Sequence, residues 1–272
     1  RFVLFSGQCW AHTFFNVLIA ALVVAGGWML FSMISDRAVK LDDFQFALSS
    51  LDLTAKPAWV RGEIEQQVKK IPSTGEKISL LDSNATTKIA SALKANPWIK
   101  DVKSVIRDFP NRVRAEVDLR NPCAYVNAYG AFYIVDSEGV RLPGEYANMK
   151  SPGLDLPMIV YVKTPAPPAG KAWDDPAVIE GTKLAALLKA NGDVVRAARI
   201  TAIDTSNIGG RRTPREPEIK LVTADWTQIF WGRGVNYSGA TELAADRKIE
   251  NLRSLLKREK SLADKEYVDL RF

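Results

Sequence analysis

"NPWIKDVKSVIRDFPNRVRAEVDLRNPCAYV" runs from Asn96 to Val126, and its reading sets the fold. From Arg112 the residue types alternate. Val113, Ala115, Val117 and Leu119 are apolar; Arg112, Arg114, Glu116, Asp118 and Arg120 are charged. A period of two puts the sets on opposite faces of a β-strand, one face buried and one wet. Ile99–Asp108 reads as a second strand, joined to the first through the turn "FPN".

Working backwards, Asn96-Pro97 stops a helix in "LLDSNATTKIASALKANPWI", with Asp82 or Ser83 as its cap and Ile89, Leu93 and Ala92 on its buried face. "AWVRGEIEQQVKKI" is a second helix, with Ile64, Val68 and Ile71 at helical spacing. "FQFALSSLDL" (Phe44–Leu53) alternates partly and reads as a short strand. The order is β-α-α-β-β. Between the second and third elements, "IPSTGEK" has the letters of a phosphate loop but not its glycine spacing, so it reads as a turn.

Before this domain lies "FFNVLIAALVVAGGWMLFSMI", Phe14–Ile34, without one charge in 21 residues. As a helix it is about 31 Å long, the thickness of a bilayer core. Phe14, Trp28 and Ile34 mark the expected membrane anchor, with Trp10, Trp28 and Phe31 towards the interfaces. The run exceeds the apolar region of a cleaved signal peptide, and "SMIS" is a poor cleavage site. Ala21 and Ala25 are a small-xxx-small pair that reads as lipid-facing filler. Charge alone (Arg1 before the helix, Arg37 and Lys40 after it) weakly favours the reverse of the orientation adopted below. Residue 1 is Arg and not Met, so the sequence is expected to be a fragment.

Composition narrows the function classes. The chain has 272 residues and a formal charge of +6, with Lys and Arg dispersed rather than clustered. No nucleic-acid motif accompanies them, so no nucleic acid is expected as partner. Cys9 and Cys123 flank the apolar run and are not expected to pair. His12 is the sole histidine, which argues against a histidine-based catalytic or metal centre in the folded part. "SLLK" (Ser254–Lys257) matches S-x-x-K by letters only, inside a charged periodic helix. No enzyme activity, cofactor, metal or small-molecule substrate is expected.

After the break "RNP" (120–122) the chain turns strand-rich. "CAYVNAYG", "AFYIVDSEGVRLPG", "LPMIVYV", "VVRAARITAID", "PEIKLVT" and "TQIFWG" read as strands, with "DSEG" a turn. Asp175-Pro176 starts a helix with Leu184, Leu187 and Leu188 on its apolar face, and Asn191-Gly192 ends it. "KTPAPPAG" and the basic "SNIGGRRTPREP" are loops. "ATELAADRKIENLRSLLKREK" is an amphipathic helix suited to packing on a sheet. "KEYVDLRF" closes the sequence as a strand, with Val268, Leu270 and Phe272 alternating with Tyr267, Asp269 and Arg271.

One membrane helix followed by β-α-α-β-β looks like an anchored POTRA domain. "PWI", "VIRDFPN", "LRNPCAYV", "YIVDSEGVRLPG" and the final "YVDLRF" together resemble the bacterial FtsQ/DivIB cell-division family. The resemblance covers the anchor, the first domain and both ends of the second; 151–236 match by element order only. It implies residues 1–13 as a cytoplasmic segment, 14–34 as the span, 35–120 as the POTRA domain and 121–272 as a mixed, mainly antiparallel β domain with flanking helices, α+β overall. It implies a non-catalytic divisome scaffold in the inner membrane at the septum, N-terminus cytoplasmic and ectodomain periplasmic, that binds FtsB- and FtsL-like proteins. That family usually continues past the last strand.

A terminal edge strand leaves backbone groups to which a partner strand adds. Tyr267, Val268, Asp269, Leu270, Arg271 and Phe272 are therefore the expected partner-binding residues, with Val268, Leu270 and Phe272 as core the competing reading. Trp98, Ile99 and Lys100 are the candidates for a POTRA docking edge, Trp98 also reading as a core tryptophan. The rival function is a POTRA-bearing chaperone or docking protein for outer-membrane assembly or secretion. Such proteins carry several POTRA units or feed a barrel.

Overall fold

The computed structural model describes residues 7–47, 52–54, 57–70, 77–149, 153–259 and 261–272. The expected turn at 71–76 and the middle of the expected strand 44–53 lie outside them. In chain order the first elements are α1 (Gly7–Ala38), β1 (Gln45–Phe46), β2 (Asp52–Thr54), α2 (Gly62–Lys69), β3 (Ile78–Ser79), α3 (Ala85–Lys94), β4 (Ile99–Asp108) and β5 (Arg112–Leu119). Then follow β6 (Pro122–Ala128), β7 (Ala131–Asp136), β8 (Met158–Val160), α4 (Pro176–Ala190), α5 (Gly192–Ala198), β9 (Ile200–Asp204), β10 (Ile219–Thr223), β11 (Gln228–Gly232), α6 (Ala245–Glu259) and β12 (Tyr267–Asp269). The fold is mixed α+β.

One compact unit gathers Arg1–Ala55, Ile71–Leu93 and Val102–Glu116; the other gathers Lys56–Lys70, Lys94–Asp101 and Val117–Phe272. In the first, α1 contains an apolar stretch, Phe14–Ser35, long enough to cross a membrane, and none of it is buried in the protein. Phe14, Trp28 and Ile34 are all exposed. Further on, Arg107 donates to the carbonyls of Leu80 (2.9 Å) and Asp82 (3.1 Å) and so fixes the entry to α3. Asp82 sits just before α3; its carboxylate accepts from the Asn84 N–H and from Lys88. Those donors hold its pKa below the ordinary carboxylate value. The alternation in β5 is real: Val113 and Ala115 are buried while Arg112, Arg114 and Glu116 are exposed. β5 lies between β2 and β4, parallel to β2.

The second unit is organised by a seven-stranded sheet in the order β12-β11-β10-β9-β8-β6-β7. Among the described residues three pairings are parallel (β11-β12, β8-β9, β6-β8) and three antiparallel (β6-β7, β9-β10, β10-β11). The expectation of a mainly antiparallel sheet therefore holds for ladder length but not for the number of pairings. The cause is that α4 with α5, and then α6, carry the chain back across the sheet so that the following strand runs alongside rather than against its neighbour. One apolar core joins these helices to the sheet, through Val178, Leu184 and Leu188 of α4, Ile249, Leu252 and Leu256 of α6, and Ile203, Leu221 and Ile229 beneath them. Gly181 allows the close approach of α4, since a Cβ there would meet Ile159 at 2.9 Å.

Asp175 caps α4 as the sequence indicated, accepting from the Ala177 N–H at 2.8 Å. α5 is a correction. "VVRAA" read as strand, but Val194 and Ala198 share the buried side of a helix, and Arg199 at φ 54° turns the chain into β9. The start of α6 is a second correction: the helix begins at Ala245, because Thr241, Glu242 and Leu243 bond to Tyr237, Lys248 and Arg271 instead.

Candidate partner-binding edge

Among the described residues β12 is an edge strand of the large sheet, parallel to β11 with Val268 opposite Ile229. Leu270 N–H donates to Phe230, and Gln228 N–H donates to the Glu266 carbonyl. Alternate residues of a strand aim their backbone groups to opposite sides. Glu266, Val268 and Leu270 thus serve the ladder with β11. Tyr267, Asp269 and Arg271 direct their N–H and C=O outwards.

Arg271 is already satisfied. Its carbonyl accepts from the Leu243 N–H at 2.8 Å, and its N–H donates to the Asp269 carboxylate at 3.0 Å. The open edge is therefore confined to Tyr267 and Asp269. What holds Leu243 in place is a buried ion pair next to it in sequence. The Lys248 ammonium, 2% exposed, lies 2.9 Å from Glu242 and 2.6 Å from the Trp231 carbonyl. Glu242 also accepts from the Arg233 N–H. The residues 241–243 form a strap across the end of β12, which is why they do not join α6.

The side chains divide sharply. Val268 and Leu270 are buried in the core, whereas Tyr267 is 55% and Phe272 76% exposed. Of the two apolar residues expected to meet a partner, Leu270 is thus core and Phe272 is accessible. Asp269 and Arg271 do not present free charges. Arg271 clasps Asp269 with both Nε (3.0 Å) and a terminal nitrogen (2.7 Å). Partial burial opposes the Asp269 charge, but the Arg271 side chain and backbone N–H prevail and hold its pKa below the ordinary value. Tyr267 stacks on Phe230 with ring centroids 4.9 Å apart, and Arg271 lies over Phe230 and Phe272 at 5.8 and 5.2 Å. A cavity of about 410 Å³ lies at the strand's end, with Arg271, Phe272, Arg233 and Glu242 in its wall.

The loop "SNIGGRRTPREP" reaches this same end, where Arg271 meets the Arg215 carbonyl at 3.4 Å. The loop is built rather than merely solvated. Asn207, 1% exposed, donates to the Thr213 and Glu216 carbonyls and accepts from the Arg212 and Thr213 N–H groups. Sequence reading missed Asn207, Glu242 and Lys248. The Lys248 position was signalled: it stands four residues before Leu252 and eight before Leu256, on the buried side of α6.

Of the POTRA docking candidates, Trp98 is fully buried and Ile99 4% exposed, so neither side chain is presented to a partner. Trp98 donates to Gln67 and packs on Trp59 at 5.8 Å; neighbouring Asn96 donates to the Val68 carbonyl. Lys100 is exposed, in contact with Glu138 at 2.5 Å.

Residues 124–271, more than half of the chain, match the family model described as the cell-division protein FtsQ/DivIB, C-terminal. A search of curated proteins found no match.

Proposed function

The chain belongs to the FtsQ/DivIB family of cell-division proteins, and from that premise we propose that it is a non-catalytic divisome scaffold whose β12 edge receives a strand from a partner. The observation that carries the reading is the pair of outward-facing residues Tyr267 and Asp269, bordered by the exposed Tyr267 and Phe272 rings. A partner strand running antiparallel would form hydrogen-bonded pairs opposite Tyr267 and Asp269, and its alternate side chains would meet Phe230 and Phe272. FtsB- and FtsL-like membrane proteins are the partners that the family suggests.

The same reading takes α1 as a single membrane span with the N-terminus cytoplasmic and the rest periplasmic at the septum. It takes 35–120 as a POTRA domain and 121–272 as the β domain. It links early to late septum-assembly proteins by holding the partner, not by chemistry. Photo-crosslinking in the native host tests it. A photoreactive residue replaces Tyr267 or Phe272 in the full chain, in place of the buried Leu270. Adducts to a small bitopic coiled-coil protein support the scaffold. Adducts to a β-barrel protein would replace it with the outer-membrane assembly or secretion reading.

A further inference from the structure

Three exposed aromatic side chains stand on backbone that L-residues disfavour. Tyr129 has φ 51°, Tyr161 φ 69° and Trp226 φ 67°, and they are 77%, 56% and 83% exposed. Two of the positions are hairpin turns with a known chemistry. Tyr129-Gly130 joins β6 to β7 in a two-residue turn with positive φ at both residues, a place that favours Asn-Gly. Trp226 closes the turn between β10 and β11, its N–H donating to the Thr223 carbonyl, at the left-handed position usually given to Gly. Left-handed backbone is costly for a residue with a Cβ, and such strain gathers at ligand clamps. Neither ring repays it by burial.

All three line one groove of about 630 Å³ on the sheet face opposite α4 and α6. Its floor mixes apolar side chains (Met158, Val160, Val222) with Asn127, Asp204 and Gln228. Asp204 accepts from the Ser206 N–H through one oxygen. The other oxygen, and the amides of Asn127 and Gln228, have no protein partner among the described residues. No Lys or Arg is part of the groove floor among the described residues, but Arg212 lies over the Tyr161 ring at 5.7 Å, and Lys220, opposite Asp204 across β9 and β10, turns to Glu216 and the Phe230 ring. A phosphate, a nucleic acid or an acidic peptide lying along the floor would face the Asp204 carboxylate, with a cation only at the Tyr161 rim. A flat protein surface would bury that carboxylate and both amides without donors and acceptors to meet them.

We propose that this groove binds an uncharged glycan chain. A pyranose ring has an apolar C–H face that lies on an aromatic ring, and a fringe of hydroxyls that both donate and accept. The rings of Tyr129 and Trp226 supply the open platforms, with Tyr161, one side of which faces Arg212, in the wall; Asp204, Asn127 and Gln228 supply the hydrogen bonds. Tyr129 is held for this task by its hydroxyl, which donates to the Lys163 carbonyl at 2.9 Å. The groove is open, so it suits a segment of a longer chain rather than an enclosed small molecule. The proposal is independent of strand addition at β12.

The test uses the full chain in detergent, titrated with chitotetraose and with cellotetraose, read by tryptophan fluorescence and thermal melting. The expected result is a saturable change at millimolar concentration or below, weakened roughly tenfold or more in Trp226→Gly and Tyr129→Asn. Both variants are also expected to melt higher than the wild type, because Gly and Asn accept left-handed backbone. That combination separates a ligand site from a merely structural one. Absence of saturable change with either glycan overturns the proposal, as does a lowered melting temperature in both variants. A photoreactive residue at 226 that captures a protein in cells, with both glycans inert in vitro, would make the face a protein-docking surface instead.

Discussion

Among the described residues β4 offers ten residues of edge and β12 three, yet the shorter one is the edge proposed to receive a partner. β4 guards its length with charge. Lys100 pairs with Glu138, Asp101 lies 3.7 Å from Lys94, and Lys103 lies 4.0 Å from Glu116. A strand docking there would have to desolvate or displace these groups, the usual protection of a long edge against unwanted pairing. β12 does the opposite. Asp269, its acidic residue, is closed by Arg271 two residues on, and an aromatic ring stands at each end of the open stretch. On the proposed reading, the groups that border an edge, and not its length, select the partner.

The largest effect that would break this contrast is at the strap. Lys248→Met leaves Glu242 buried without its cation and is expected to destabilise the second unit by about 3–5 kcal/mol, read by chemical denaturation. Adding Glu242→Gln should recover much of that loss. If Lys248→Met is neutral, the strap is not held as described. Next, Val268→Pro removes a ladder bond to β11 and leaves a buried carbonyl without its donor, which should cost about 1–3 kcal/mol. Tyr267→Pro removes an N–H that points outwards, so stability should change by less than about 1.5 kcal/mol, the most that a lost aromatic stack accounts for, while partner crosslinking at Phe272 disappears. Equal damage from both prolines would mean that the outward register of Tyr267 is wrong.

On β4, Lys100→Thr with Lys103→Thr should leave stability within about 0.5 kcal/mol but promote self-association, visible by size-exclusion chromatography as protein concentration rises. A double variant that stays as monodisperse as the wild type would show that these charges do not guard the edge. The smallest effect concerns pH. Asp269 has a folded pKa below its unfolded value of about 3.9, so its clasp with Arg271 contributes stability that is complete above the unfolded value and is lost as pH falls through the folded one. Partner capture should therefore be unchanged by mild acid. A carboxyl NMR titration of Asp269 with a midpoint at or above the ordinary value would contradict the clasp.

Local pattern was legible where one residue's neighbours in sequence are also its neighbours in the fold. The alternation of 112–119 gave β5, and the Asp175-Pro176 pair gave the start of α4. The helical face Ile249, Leu252 and Leu256 was equally plain. α5 was hidden because seven residues with two adjacent valines fit strand and helix alike, and only packing of Val194 and Ala198 decided it. The division of "YVDLRF" into a buried and an exposed set was readable for Val268 and Leu270 against Tyr267. It failed at Phe272, where the strand has ended and the period of two no longer applies.

That an apolar helix precedes an α+β fold, that the last strand has one apolar face, and which family the chain resembles all follow from the order of residues. These rest on periodicity and on uninterrupted hydrophobicity, which act over one element at a time. Packing between distant elements set the rest: it runs β12 parallel to β11 at a sheet edge, closes the end of that edge with Leu243, and buries Lys248 beside it. It also brought Tyr129 and Trp226, from two hairpin turns, and Tyr161, from the segment after β8, to one groove. Each of these joins residues far apart in the chain, and their pairing energies exist only once the core has brought the elements together.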